Sequence, residues 1–234
     1  MLYLLLAAVI GYLLGSIPTG YLVGRARGID VREHGSGNIG ATNVVRVLGK
    51  GPGYFVFICD ALKGLLAVRL GTYLTTKLQW MKMLGGSGVA GPNPFVHAAG
   101  EIAWYAAIAG IIAALACILG HNFPVWLRFR GGKGVATTVG ALLGLMPLAF
   151  LIVAVVWSLT FYLLRYVSVA SIAAATSLPV AVLLLERWHP APGGLWPMFC
   201  FAVVAAALVW WRHRANIQRL RNGTEPRFAR KAKA

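Results

Sequence analysis

Three stretches of the sequence combine glycine with residues that bind anions. In HGSGNIGATN, residues 34–43, Gly35, Gly37 and Gly40 alternate with Ser36, Asn38, Thr42 and Asn43. Glycines let the backbone approach a ligand and adopt positive φ. Successive N–H groups can then form a concavity for an anion. The serine, asparagines and threonine add side-chain donors, and Arg46, a turn or two further on, adds a forked cation suited to phosphate. A flexible interfacial loop with helix caps uses the same residue types.

The second stretch, RFRGGKGVATT, residues 128–138, sets Lys133 among Gly131, Gly132 and Gly134 and leads into an apolar run. A glycine turn feeding a helix N-terminus is a phosphate site. The GxxxxGK[ST] spacing of a nucleotide-binding loop is absent. A cluster of basic side chains snorkelling at a membrane surface is the plainer account. The third stretch, NIQRLRNGTE, residues 216–225, offers Asn216, Arg219, Arg221, Gly223 and Glu225. A basic amphipathic helix on anionic lipid explains most of it, but does not require the asparagine. His121 and Asn122 close an apolar run. His121 reads as a structural donor or a base, and His34 likewise. Asp60 and Lys63 stand at i,i+3 within an apolar run, as a structural ion pair or a functional one.

What is missing narrows the chemistry. The chain has six Asp and Glu in total. None are paired as metal ligands beside the glycine-rich stretches, so neither a metal nor another cofactor is expected. The aspartate cluster of CDP-alcohol phosphotransferases is absent. So is the His-x₄-Asp pattern of soluble-cofactor acyltransferases: Ile39 and Trp126 stand where its aspartate would follow His34 and His121.

Such residues need elements to position them, and composition says which. Of 234 residues 59% are hydrophobic and 12% charged, about half the charge of a soluble domain. Mean hydropathy is +0.72. The expectation is an all-α polytopic membrane protein, a single domain over residues 1–234 with a basic cytoplasmic tail at 212–234. The net charge of +16 reads as a topology signal with attraction to anionic membrane lipid, not as a nucleic-acid footprint. Cys59, Cys117 and Cys200 sit in apolar runs without metal or disulfide spacing and read as packing residues. No Lys or Arg precedes Arg25, so the first run is read as a retained span, not a cleaved leader.

Spans are expected at about 2–23, 52–76, 102–119, 135–145, 148–165, 169–185 and 195–211, with an irregular loop at 77–101. The 135–165 run is long enough to need its break at Met146-Pro147. Seven is the favoured count, and five the competing one. Alternating the sides puts seventeen Lys and Arg on one face and three on the other. The N-terminus is therefore placed outside and the C-terminus in the cytoplasm. All the glycine-rich polar stretches, with the SVAS turn at 168–171, then share the cytoplasmic face.

GSGNIGATNVVRVLGK, GHNFPVWLRFRGGKGVAT and NIQRLRNGTE together resemble the three motifs of the bacterial acyl-phosphate:glycerol-3-phosphate acyltransferases, the PlsY family. The resemblance covers nearly the whole chain. It implies seven spans in the bacterial inner membrane and transfer of an acyl group from acyl phosphate to the 1-hydroxyl of glycerol 3-phosphate. Lysophosphatidic acid and inorganic phosphate are the implied products, in the first acylation step of phospholipid synthesis. It implies substrate roles for Ser36 and Arg46, a phosphate ligand in Lys133, Ser168 or Ser171 from the SVAS turn, and Asn216. Gly35, Gly37, Asn38, Gly40, Thr42, Asn43, Gly131, Gly132, Gly134, Ser171, Arg219 and Gly223 are the expected substrate-binding shell around catalytic Ser36, Arg46, Lys133, Ser168, Asn216 and His121. It also implies a histidine at the site. The position after the third-motif asparagine holds none, which leaves His121 and His213. The rival class is a transporter for an organic phosphate or other anion, which would place its site near the midplane and show internal repeats.

Overall fold

The computed structural model describes residues 1–84, 94–189 and 193–228, and among them every regular element is helical. The first apolar run forms α1 (Leu2–Ser16) and α2 (Thr19–Arg25), divided at Ile17-Pro18. Proline lacks the N–H and clashes with the preceding turn, and here the helix breaks at it. A loop leads to α3 (Ala41–Leu48), whose buried face carries Asn43 and Val44. Then α4 (Lys50–Leu84) runs for 35 residues, about 52 Å at 1.5 Å per residue. It outlasts the expected 52–76 span at both ends. The chain resumes in α5 (Pro94–Asn122). The loop expected over 77–101 is therefore helix at 77–84 and at 94–101. Pro94 stands at the first position of α5, where its missing N–H has no helical partner to lose. The rest of that stretch lies outside the described residues.

A 3₁₀ turn (Val125–Leu127) and a glycine-rich loop lead to α6 (Val135–Leu145). The expected break at Met146-Pro147 is present: Met146 leaves helical geometry and Pro147 opens α7 (Pro147–Leu164). α8 (Val167–Glu186), α9 (Leu195–Arg212) and the short α10 (Arg214–Arg221) complete the chain. Among the described residues five helical segments are long and apolar enough to cross a membrane: 2–25, 99–127, 147–164, 167–186 and 195–212. α4 is long enough but carries charges, and α6 has 11 apolar residues.

Small residues let these helices meet backbone to backbone, as membrane bundles do. A Cβ on Gly15 would overlap the Cys117 carbonyl where α1 crosses α5, and one on Gly140 would overlap the Ala61 carbonyl where α6 crosses α4. Ala7, Ala67, Ala109, Ala113 and Cys117 fill the first crossing. Val68, Ile118, Leu142, Leu178 and Phe201 join α4, α5, α6, α8 and α9 in the main core. Under the loop before α3, Val31, Ile39, Val44, Val56 and Leu127 form a separate core. That core anchors the polar loop against the bundle instead of leaving it loose at the surface.

Candidate active site

Lys133 owes its position to a tight return of the chain at the end of α5. Arg128 and Phe129 both take positive φ, at 51° and 61°. The backbone then pairs with itself: Gly131 N–H donates to Asn122 O at 3.2 Å and Gly132 N–H to His121 O at 3.0 Å. Only glycine fits there. A Cβ on Gly131 would overlap the His121 carbonyl, and one on Gly132 would overlap the His121 imidazole. From α9, Arg212 grips the other side. Its Nε donates to Gly132 O at 3.0 Å, and its Nη2 donates to Gly131 O at 2.9 Å and Gly132 O at 2.6 Å. Gly134, at φ 78°, then starts α6.

The ammonium so placed meets the end of the chain. Lys133 Nζ donates to Asn216 Oδ1 at 2.5 Å, and Asn216 Nδ2 donates to Glu225 Oε1 at 2.7 Å. Ser168 Oγ, from the start of α8, donates to the same carboxylate oxygen at 2.7 Å, and Arg219 Nε donates to Oε2 at 2.8 Å. Glu225 can fold back under α10 because Gly223 ends that helix at φ 69°. Gly223 N–H bonds to Leu220 O and Thr224 N–H to Arg219 O, the paired pattern of a Schellman stop. Gly223, expected at the substrate, is thus a helix terminator.

Electrostatics follow from this crowding. Burial would raise the pKa of Glu225, but hydrogen bonds from Asn216, Ser168 and Arg219 outweigh it and hold the carboxyl below its usual range. Burial pulls the Lys133 ammonium down to about 8, against the attraction of Glu225 and with help from Arg219, Arg46 and Arg212. Arg46, on α3, packs its guanidinium over the Phe228 ring at 5.7 Å. Its pKa is lowered by burial, opposed by Glu225 and reinforced by Arg219. Arg219 thus pairs with Glu225 directly, Lys133 reaches it through Asn216, and Arg46 acts on it through space; their excess charge suits an anion. His213, in the α9–α10 joint, hydrogen-bonds Val209 O at 2.8 Å through Nδ1. Burial, then the Lys133 charge, depress it to about 4, so it is neutral at pH 7.

The loop at 34–43 has a different internal logic. Asn43 is buried, and its side chain is used within the loop. Oδ1 accepts Ser36 N–H at 2.7 Å, while Nδ2 donates to Val31 O at 2.9 Å and His34 O at 3.1 Å. Gly35 and Gly37 take positive φ, and a Cβ on Gly35 would overlap Asn43 Oδ1. Asn38 Oδ1 accepts Gly40 N–H at 2.8 Å and shapes the entry to α3, with Gly40 as N-cap and Thr42 half-buried in the first turn. Asn43 and Asn38 therefore shape the loop, which leaves Ser36 exposed.

Arg46, Lys133, Ser168, Asn216 and Arg219 come together as one cluster. Ser171 does not join it: its Oγ accepts Trp157 Nε1–H at 3.2 Å, one turn along α8. His121 also faces elsewhere, with Nδ1 3.0 Å from Lys63 Nζ inside the bundle. Asp60 and Lys63 pair at 2.8 Å, as their spacing implied. Sequence reasoning passed over Arg212, named Glu225 in the third motif without giving it a role, and offered His213 only beside His121 as the histidine of the site. Glu225 had a signal, being a rare carboxylate inside the third motif. Arg212 had none, because it acts through space on residues 80 positions away.

A family model described as glycerol-3-phosphate acyltransferase matches residues 5–223. The chain is 44% identical over 225 residues to a glycerol-3-phosphate acyltransferase of Synechococcus elongatus, covering 96% of this chain and 94% of that one. It is 43% identical over 229 residues to glycerol-3-phosphate acyltransferase 2 of Moorella thermoacetica, covering 97% and 99%. The fold is similar to crystal structures of PlsY (YgiH), an integral membrane glycerol 3-phosphate acyltransferase. Its glycerol 3-phosphate form matches with a TM-score of 0.73 and 36% identity over 97% of this chain and 96% of that one. Its lysophosphatidic acid form matches at 0.71 with 36% identity, over 97% and 95%. This chain belongs to the glycerol-3-phosphate acyltransferase family of integral membrane proteins represented by PlsY.

Proposed function

We propose that the protein transfers a fatty acyl group from acyl phosphate to the 1-hydroxyl of glycerol 3-phosphate, releasing lysophosphatidic acid and inorganic phosphate. The single observation that carries this reading is the convergence of Arg46, Lys133 and Arg219 on one carboxylate. Both substrates are phosphate anions, and an acyl phosphate is a mixed anhydride whose leaving group is phosphate. Positioning and charge stabilisation can carry much of such a reaction. The glycerol hydroxyl attacks the acyl carbonyl, the C–O bond to phosphate breaks, and the hydroxyl proton passes to a phosphate oxygen of the substrate. Lys133 and Arg46 bind phosphate oxygens, with Ser36 at the exposed rim of the site. Ser168, Asn216 and Arg219 hold the acceptor, oriented through Glu225. The transporter reading is not favoured, because the polar motifs gather at one end of the bundle and not at its midplane.

The same end of the bundle supports seven crossings. The chain leaves the site along α4, α6 and α8, and returns along α5, α7 and α9. With α1–α2 the passes alternate, and the excess of Lys and Arg on one face supports an N-terminus outside and a site at the cytoplasmic face of the inner membrane. The substrates would then be a lipid-soluble donor and a cytoplasmic phosphate.

Purified protein with palmitoyl phosphate and glycerol 3-phosphate should yield lysophosphatidate and phosphate in equal amounts. Palmitoyl-CoA should not replace the donor, and equal rates with both would overturn the assignment. Among the described residues no three His, Cys, Asp or Glu group as metal ligands. Turnover should therefore persist in EDTA; activity lost to EDTA and restored by Mg²⁺ would refute a metal-free reaction.

A further inference from the structure

We propose that Asp60, Lys63 and His121 are positioning residues for Lys133, a charged bracket inside the bundle that fixes the Gly131–Gly132 segment; this rests on the reading of Lys133 as a phosphate ligand. All three are buried, at 1%, 5% and 4% exposure. Ionisable groups at such depth are costly, and a buried ion pair stabilises no better than apolar residues of the same shape. Holding helices together does not by itself account for them.

Geometry supplies the other reason. Lys63 Nζ stands 2.8 Å from Asp60 Oδ1, 3.0 Å from His121 Nδ1 and 3.1 Å from Ile17 O. An ammonium has no lone pair, so His121 Nδ1 must accept from it, as Ile17 O does, while Asp60 supplies the balancing charge. The Ile17 carbonyl belongs to the break between α1 and α2, where Pro18 offers no N–H. One ammonium thus ties α1, α4 and α5 at a single depth and fixes the plane of the imidazole. That ring occupies the space a Gly132 side chain would need. Gly132 N–H bonds back to His121 O, and Arg212 holds the Gly131 and Gly132 carbonyls from the opposite side. The segment is clamped between the ring and the guanidinium, and the next residue is Lys133. If the ring tilts, the direction of the Lys133 side chain changes with it.

The test uses the full chain carrying Asp60→Asn and Lys63→Met together, so that neither charge is left unpaired. Amide hydrogen exchange at residues 131–132 should accelerate about 10-fold or more, while α8 and α9 keep wild-type protection. The kcat/KM for glycerol 3-phosphate should fall about 10-fold, but less than about twofold when the same changes are made in a Lys133→Ala background, since effects acting through one residue do not add. His121→Phe keeps a ring under Gly132 and the Asp60–Lys63 pair but cannot accept from Lys63; it should reproduce both results, and serves if the double variant does not fold. Wild-type exchange at 131–132, or the same loss with and without Lys133, overturns the proposal. Should the wild type fail to use palmitoyl phosphate, the donor reading falls, and the exchange measurement still decides the bracket.

Discussion

Glu225 dictates which way Asn216 faces. The amide nitrogen donates to Glu225 Oε1 at 2.7 Å, and the amide oxygen is left for Lys133 Nζ at 2.5 Å. Flipped, the amide would set a donor against an ammonium and an acceptor against a carboxylate. Through this bond one carboxylate orients Asn216, Ser168 and Arg219 at once.

Glu225→Gln should therefore be costly despite its equal size. It removes the charge that Arg219 pairs with, and hydrogen bonds to charged groups are worth about 1.5–3 kcal/mol. The expected loss in kcat/KM is about 10- to 150-fold. Steady-state kinetics on folded variant protein checks it, and wild-type activity would remove Glu225 from the site.

Lys133→Ala should lower kcat/KM by a similar factor, about 10- to 150-fold, from the lost charge-assisted contact. Lys133→Arg should rescue only in part, because a planar fork does not replace a point charge held between glycines. A surface-anchoring lysine predicts the reverse, since arginine snorkels equally well. Full activity of the arginine variant would show that Lys133 serves the membrane and not the substrate.

The Lys133 ammonium titrates near 8 in the folded protein, against 10.5 for the ordinary side chain. Binding a phosphate needs the protonated form, so kcat/KM, which reports the free enzyme, should fall as pH rises through about 8. The Lys133→Ala variant should lack this alkaline limb. Stability has the opposite sign. Between pH 8 and 10.5 the unfolded chain keeps a proton that the folded protein has lost, so this group favours folding more as pH rises and loses that contribution as pH falls through about 8. A pH series of thermal unfolding on wild type and Lys133→Ala separates this contribution from the rest.

Ser168 and Ser171 lie one turn apart on α8 but should behave differently. Ser168→Ala takes a donor from Glu225 Oε1, a loss of about 1 kcal/mol or about fivefold in kcat/KM, and more where the hydroxyl also meets substrate. Ser171→Ala breaks only its bond with Trp157. It should leave kcat/KM within about twofold and cost about 1 kcal/mol of stability at most. Equal loss of activity in both variants would refute the separation.

Much of this protein is determined by local sequence. The apolar runs specify helices because a bilayer leaves backbone groups no other partner. The break at Met146-Pro147 was legible because proline disfavours a continuing helix and suits its first position, and the i,i+3 spacing of Asp60 and Lys63 because helical neighbours are fixed by geometry. Lys133, Arg46, Ser168, Asn216 and Arg219 were legible as residue types that bind anions. The partition of their roles was not. Asn43 and Asn216 are the same side chain in similar polar stretches, yet one is used up holding its own loop and the other faces Lys133. Ser168 and Ser171 share a side of α8 and differ in depth, since only the first turn of that helix meets the returning chain. Glu225 joins the cluster because Gly223 turns the chain back beneath α10, and Arg212 reaches the Gly131–Gly132 carbonyls because α9 ends beside the loop that follows α5. Charge and hydrogen bonding act over a few ångströms in space, whereas sequence orders residues along the chain. Only the packing of the helices could decide which polar groups became each other's partners.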